Sequence, residues 1–469
     1  MRVDFARLNR AFNPRVVAVV GDSRSTNFEW LRSEREFRGK LYSVQVNPET
    51  AREIRTTLGV ENYSSLLDIP EPVDLAVVAV SRNAALDVLE DCIRKGVAAA
   101  HFYTAGFSET HTEEGKKLEQ ALARRAGEAD SHLIGPNCMG IFNPALGIKQ
   151  TPEQYVGASG PVGFISQSGN LALAFSLDAH VLGLDIGKSV SSGNGTVLEA
   201  TDFLEYLGQD DATRAIGMYL EGVKDGQRFV KVLGEVAARK PVVVWKGGRS
   251  EDGGRAIASH TGALAANQAV WDAVVRQCGA LGVASMEELM DTLKALLYLP
   301  PVRGERVAVV GGSGGQSVAI TDALVEVGLE VPRLAQESYD ELETFFNVVG
   351  GSYRNPIDTA GPVRRDMRRV WGILARDPNI DCLVGISSTK PGRHMMPQQV
   401  DASLELMQYV RELTPKPLMV LVFLHTAEAF TEAASIVRKL QEVGIPAFPN
   451  VERGARALRN ALDYYRRHG

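Results

Sequence analysis

Residues 253–273 read GGRAIASHTGALAANQAVWDA and place His260, one of only eight histidines in the chain, between Ser259 and Thr261, with Gly262 following. Its neighbours are mostly Ala, Gly and Ser, small enough to let backbone and a ligand come close. A metal site would want a second His or a carboxylate at ligand spacing, and residues 256–259 and 261–264 offer neither. A Ser-His-Asp hydrolase would want a strained G-x-S-x-G elbow, and that option is set aside. Two readings stay open: a structural histidine bonded to backbone, or a nucleophile. A neutral imidazole keeps a lone pair near pH 7 and can accept a phosphoryl group covalently.

A phosphorylated imidazole adds negative charge, so it needs helix N-termini and hydroxyl donors around it. The stretch ISQSGNLALA supplies Ser166, Gln167, Ser168 and Asn170 as hydrogen-bonding groups, and Gly169 permits close approach. The same stretch also reads as a tight strand–helix joint with Ser168 as N-cap. Ser259, Thr261 and Gly262 would complete the anion environment on the histidine side. Glu221, in IGMYLEGVKDG, directly follows an apolar strand. There it either fixes the tautomer of the histidine or is a surface loop acid.

The elements that must position these residues recur three times. RVVAVVGDSRST (residues 15–26), PVGFISQSGNLALA (161–174) and RVAVVGGSGGQSVA (306–319) each read as an apolar strand, a Ser/Gly turn and a helix start. Continuous apolar runs of this length suit strands buried on both faces of a parallel sheet. Their alternation with helical patterns, as in DLAVVAVS followed by NAALDVLEDCIRKG, predicts α/β units. A polar Gly/Pro connector at 142–161 and the Pro-Pro at 300–301 break the chain. The expected division is therefore three α/β domains: 1–145, 146–300 and 301–469.

Each Ser/Gly turn would point backbone N–H groups at one spot at the carboxyl ends of strands, where ligands bind in doubly wound sheets. The first, VVGDSRST, lacks G-x-G-x-x-G, and the second strand ends at Asn47, where an NAD site commonly has an acid. That argues against redox chemistry and for a different nucleotide-like ligand, such as coenzyme A with its ADP-like portion. The third turn, GGSGGQS, could also hold an anion.

Net charge is −6, which argues against non-specific nucleic-acid binding. Four scattered cysteines include no CxxC pair, so neither a zinc site nor a disulfide framework is expected. No N-terminal run reads as a signal peptide, and no stretch approaches the ~20 apolar residues of a membrane span. The expectation is a soluble, cytoplasmic protein with no metal of its own. RRDMRR (364–369) is read as a solvated helix face.

The segments VNPE, DLAVVAVS, KGVAAAHFYTAGFSET, LIGPNCMGIFNP, GFISQSGNLA, LEATDFLEYLGQD, YLEGVKDG, VVVWKGGRS, ASHTGALA and RNPIDTAG occur in this order along nearly the whole chain. As an ordered set they resemble the α subunits of ADP-forming acyl-CoA (acetyl-CoA) synthetases, relatives of the succinyl-CoA synthetase α subunit. The resemblance implies an N-terminal Rossmann-like CoA-binding domain followed by two flavodoxin-like ligase domains. It implies the reversible reaction acyl-CoA + ADP + phosphate to carboxylic acid + ATP + CoA, through an acyl phosphate and a phosphohistidine. His260 matches the phosphorylated histidine and Glu221 the glutamate that orients it. Ser166, Gln167, Ser168 and Gly169 match the phosphate-gripping helix start. CoA contacts carry over to Gly21, Ser23, Asn47, Pro48, Thr104, Ala105 and Gly106.

These residues include no ATP-grasp domain, so the resemblance implies a separate ATP-grasp β subunit that holds ADP or ATP with Mg, in an oligomer. The chain departs from the family pattern in three places. Asp22 stands in the first turn, where an acid beside a CoA phosphate is tolerable only if it points away, and bulky Phe28 and Trp30 follow. Ser81 replaces a common Pro. Asn170 replaces a smaller residue and could touch the acyl group. The competing reading is a non-catalytic CoA-binding or regulatory protein that retains the fold.

Overall fold

Runs such as Val16–Val20 (VVAVV) and Val162–Ser166 have no polar face to offer water, and every residue in them is buried. They pair inside sheets covered by helices on both faces. The computed structural model describes residues 3–261, 267–346, 348–349, 351–359, 366–388, 397–423 and 429–469, with the side chains of 256, 258–261, 388, 397–399 and 429–430 excepted.

The first sheet holds β1 (Val16–Val20), β2 (Lys40–Val44), β3 (Glu61–Tyr63), β4 (Leu75–Val78), β5 (Ala99–Phe102) and β6 (Leu133–Ile134). All are parallel, in the order β3-β2-β1-β4-β5-β6, which is the Rossmann order. The second holds β7 (Gly140–Phe142), β8 (Val162–Ser166), β9 (Ile186–Ser191), β10 (Ala215–Leu220), β11 (Val242–Lys246) and β12 (Leu281–Val283). Its order is β12-β11-β10-β8-β9-β7. The five strands from β8 onward run parallel in the flavodoxin-like arrangement, and β7 closes the edge antiparallel to β9. The third holds β13 (Val307–Val310), β14 (Cys382–Ser388), β15 (Leu418–Phe423) and β16 (Ala447–Phe448), parallel and in that order. Glu330 bridges Arg306 just ahead of β13 in the parallel sense.

Backbone contacts divide the chain into two compact units, Met1–His180 with Asp185–Ala284, and Val181–Leu184 with Ser285–Gly469. The first unit contains two sheets because one hydrophobic core runs through both, from Leu8 and Phe12 to Ile165, Phe203 and Val244. Phe12 of helix Phe5–Phe12 stacks on Tyr206 of helix Ala200–Gln209 at 4.5 Å. Each such buried aromatic contributes about 1.5–3 kcal/mol. The sequence break at 145 is thus a change of sheet within this unit.

The second unit begins before helix Met286–Tyr298, a helix that the sequence reading grouped with the middle domain. Asp291 on that helix pairs with Arg453 of helix Val451–His468 at 2.5 Å, and the buried Lys294 ammonium donates to Ala447 O. Both partners belong to the C-terminal residues, which is why the helix sides with them. Arg368 and Arg369, in the basic cluster, are exposed and lie over the rings of Tyr409 and Phe345 at 4.9 and 4.1 Å; residues 364 and 365 lie outside the described residues. Among the described residues no helix is long and apolar enough to cross a membrane.

His101 on β5 is packed edge-on to Trp30, and neither ring nitrogen has a hydrogen-bond partner among the described residues. Burial pushes its pKa down to about 3, and burial of His132 pushes that ring to about 4. The unfolded chain, with imidazoles near 6.5, therefore binds more protons than the folded one below that pH. Stability should fall as pH drops from 6.5 towards 4, by about 1.4 kcal/mol per pH unit for each ring. Urea unfolding at pH 7, 6 and 5 should show this slope, and His101→Gln should remove one ring's share. An unchanged slope in the variant would contradict the assignment.

Candidate active site

Strand order in the second sheet reverses between β8 and β10, since β9 returns to one side of β8 while β10 lies on the other. Ligands bind at the carboxyl ends of strands at such a switch point. The turn leaving β8 is shaped by Ser166. Its hydroxyl, fully buried, donates to Ser168 O (2.7 Å) and accepts from Ser168 N (3.1 Å). Ser168 caps helix Gly169–Val181 by accepting from Leu171 N at 3.4 Å. The N-cap is observed and does not exclude an anion there, because a capped N-terminus still presents its first N–H groups. Met139 lies against Gly169 so closely that a Cβ there would sit 2.8 Å from Met139 Cγ. Asn170 is exposed at the helix start.

The turn leaving β10 is held to this one by a single side chain. Gln167 Oε1 accepts from Glu221 N and from Gly222 N (3.1 Å), while Gln167 Nε2 donates to Gly222 O (2.9 Å). Glu221 is buried, at 8 % exposure. One carboxylate oxygen accepts from Tyr219 Oη at 3.3 Å, and the other, Oε2, has no partner among the described residues. A buried oxygen left unpaired costs about 1–3 kcal/mol, a cost proteins usually avoid outside functional sites. The surface-acid reading of Glu221 is therefore rejected. Burial and the nearby Glu221 carboxylate both push the Tyr219 hydroxyl up. Burial pushes the Lys246 ammonium, at the end of β11, down, and Glu221 partly offsets it. Sequence reasoning passed over Tyr219, Lys246 and the bridging role of Gln167. Only the polar Lys246 closing the apolar run VVVWK signalled any of them.

Helix Glu251–Thr261 follows β11, whose Lys246 is in register with Leu220 of β10. The helix approaches the short turn Ser108–Thr110. Ser259, His260 and Thr261 form its last turn, and Ala256 and Ala258, of the strongest helix-forming type, favour the helix there. The side chains of Ser259, His260 and Thr261, and Gly262 altogether, lie outside the described residues.

In the first sheet Gly21 follows β1 with φ +88°, and a Cβ there would meet Val80 Cγ1 at 2.4 Å. Asp22 does point away from the turn's surface. It is buried and accepts from Leu31 N (2.9 Å), Ser23 N (2.9 Å) and Thr26 Oγ1 (2.7 Å). Burial pushes its carboxyl up, against the pull of those bonds. Phe28 and Trp30 are buried as well. Ser23 bonds Ser25 at 2.8 Å, and Asn47 caps the helix that starts at Pro48 by accepting from Glu49 N and Thr50 N. Thr104 is buried and donates to Val80 O at 2.9 Å, beside the exposed Ala105 and half-buried Gly106. Residues 311–315 have G-x-S-x-G spacing, but Ser313 there is the N-cap of helix Gly314–Glu326, in a capping box with Gln316. Among the described residues no group of three or more His, Cys, Asp or Glu could hold a metal.

Two family descriptions match: a CoA binding domain over residues 15–144 and a succinyl-CoA ligase like flavodoxin domain over residues 159–296. The chain is 34 % identical to the α subunit of acetate–CoA ligase [ADP-forming] II of Pyrococcus furiosus, over 95 % of this chain and 95 % of that one. It is 37 % identical to acetate–CoA ligase [ADP-forming] I of Archaeoglobus fulgidus over 81 % of this chain, but spans only 54 % of that longer relative. The solved dinucleotide forming acetyl-coenzyme A synthetase 1 of Ca. Korarchaeum cryptofilum, in complex with phosphate and ADP, superimposes with a TM-score of 0.83 at 30 % identity, over 98 % of this chain and 97 % of that one.

The bridge made by Gln167 has a measurable consequence. Gln167→Leu removes the partner of two N–H groups and one carbonyl, and should destabilise the fold by about 1–3 kcal/mol. Chemical denaturation of the two proteins would show it; equal midpoints would mean the turns hold each other by other means.

Proposed function

The chain belongs to the α-subunit family of ADP-forming acyl-CoA (acetate–CoA) ligases, and we propose that it interconverts acyl-CoA and carboxylic acid by way of a phosphoryl group carried on His260. Phosphate attacks the thioester carbonyl, the C–S bond breaks, and CoA leaves as the thiol, giving an acyl phosphate. An imidazole nitrogen of His260 then attacks phosphorus, and the P–O bond to the acyl carboxylate breaks to release the acid. The phosphoryl group passes from His260 to ADP on a partner subunit. That partner carries an ATP-grasp domain and the Mg.

The observation that carries this reading is the buried Oε2 of Glu221 at the switch point, without a partner among the described residues, beside a helix N-terminus that offers Ser168, Gly169 and Asn170. A carboxylate oxygen in that position accepts the N–H of an imidazole, holding its tautomer so that the other nitrogen is nucleophilic. Ser166 and Gln167 shape this site from behind, leaving phosphate contact to Ser168 and the following backbone, with Ser259, Thr261 and Gly262 on the histidine side. The first sheet receives CoA at Gly21, Ser23, Asn47, Pro48 and the 104–106 turn, whose backbone is fixed by Asp22 and Thr104 behind it. The three sheets, divided near 145 and 300, correspond to a CoA-binding and two ligase domains. Four unpaired cysteines support a reducing, cytoplasmic setting.

The purified chain, mixed with radiolabelled phosphate and a panel of acyl-CoAs, should take up acid-labile label. His260→Ala should take up none, and Glu221→Gln should label at least about tenfold more slowly. Equal labelling of wild type and His260→Ala would overturn the proposal. CoA binding without label in the wild type would favour a non-catalytic CoA-binding protein.

A further inference from the structure

The backbone turn at 104–107 is held from behind by one carboxylate. Glu109 Oε1 accepts from Gly106 N (2.6 Å) and Phe107 N (3.1 Å). Its second oxygen accepts from Asn194 Nδ2 at 2.8 Å, and the same nitrogen donates to Glu119 Oε2 at 2.9 Å. Glu119 in turn accepts from Ser108 N (3.0 Å) and from its hydroxyl. Two half-buried carboxylates thus converge on one neutral amide, which lies also 3.4 Å from Ser108 Oγ.

Asn194 stands on the other sheet's side of this contact, in the loop after β9. Its backbone N–H donates to Pro136 O (3.0 Å), and its side-chain oxygen accepts from Asn137 Nδ2 (3.4 Å). Two residues earlier, Ser192 N donates to Ser166 O at 2.8 Å. The Asn194 loop is therefore tied directly to the turn that opens helix Gly169–Val181. Lys224, two residues beyond Gly222, anchors the same loop through Gly195 O at 2.7 Å.

We propose that Asn194 is a positioning residue whose side-chain amide clamps Glu109 and Glu119, and so sets the 104–107 turn for coenzyme A against the phosphate-binding turn at 166–169. The proposal rests on the reading of the chain as a CoA-dependent ligase subunit. Like charges brought this close repel unless a donor lies between them. An amide supplies two N–H hydrogens and no net charge, so it satisfies both carboxylates at once. Partial burial alone would push the Glu109 carboxyl up, yet the bonds from Asn194, Gly106 N and Phe107 N hold it below the ordinary carboxylate range. From the front, Arg82 Nη1 donates to Gly106 O at 3.1 Å, and Thr104 anchors the start of the turn. Without Asn194 the turn keeps these contacts but loses its register with the second sheet.

Three variants and two readouts test this. CoA affinity is measured by calorimetry on the full chain. Histidine labelling is measured from phosphorus-labelled acyl phosphate, a donor that bypasses CoA. Asn194→Ala should weaken CoA binding by about tenfold, the effect of a lost charge-assisted hydrogen bond. Asn194→Asp, equal in shape, should weaken it further, to about a hundredfold, because it replaces the shared donor with a third negative charge. Glu109→Gln should behave like Asn194→Ala. Labelling from acyl phosphate should stay within about twofold of wild type in Asn194→Ala and Glu109→Gln, which also reports that the site is folded. Wild-type CoA affinity in Asn194→Asp would overturn the proposal, because only a role in filling space survives that substitution. So would loss of acyl-phosphate labelling parallel to loss of CoA binding, which would mark a general structural role. A wild-type chain that binds no CoA would overturn the ligase reading, and this proposal with it.

Discussion

The side chain of Gln167 joins two strand ends that would otherwise be independent loops. Strand pairing brings β8 and β10 into register, Tyr219 beside Ser166, but pairing ends where the strands end. Beyond that line, the amide of Gln167 takes over the function of a ladder rung, bonding backbone on the far turn through both its oxygen and its nitrogen. That bridge places the Glu221 carboxylate below the surface, where one oxygen meets Tyr219 and the other meets no polar partner among the described residues. The cost of an open buried oxygen is borne by a site otherwise closely satisfied: Ser166 bonds within its own turn, Ser168 caps its helix, and Gly169 admits Met139. Positive potential at the start of helix Gly169–Val181 and an available carboxylate oxygen are the two features an imidazole phosphoryl carrier requires.

A second level of order links this site to the first sheet. The continuous core through Phe12, Tyr206 and Phe203 fixes the two sheets of the N-terminal unit against each other. On the ligand side of that unit, polar contacts do the corresponding work, with Asn194 between Glu109 and Glu119 and Lys224 on Gly195 O. A thioester and a phosphate must meet at one point, and apolar packing alone sets such a distance less finely than directional hydrogen bonds do.

Much of this was legible in the sequence, for identifiable reasons. Short apolar runs such as VVAVV and VGFIS, each closed by a Gly- or Ser-bearing turn, suit interior strands, and such turns mark the carboxyl edge where Ser168 and Glu221 lie. What pattern could not convey was the direction of polar side chains. Ser166 and Thr104 look like ligand contacts by type, yet their hydroxyls face backbone carbonyls and shape the turns instead. Asp22 looks hostile to a phosphate by type, yet it turns inward to three donors. Gln167 reads as one more polar group in a turn, and its bridge to Glu221 and Gly222 depends on residues 54 and 55 positions away. The division of the chain behaves similarly. The Pro-Pro at 300–301 marks the end of helix Met286–Tyr298, but Asp291 and Arg453 decide which unit that helix joins, and nothing local announces a partner 162 residues distant.

The most direct test of the central claim is nitrogen and phosphorus NMR of the phosphorylated chain with labelled histidine. The account predicts one phosphohistidine at His260, with phosphorus coupled to one ring nitrogen. The opposite nitrogen should be protonated and hydrogen-bonded, with a signal that shifts when Glu221 is replaced by Gln. Phosphorus on a hydroxyl such as that of Ser168, or a ring signal indifferent to the Glu221 substitution, would contradict it.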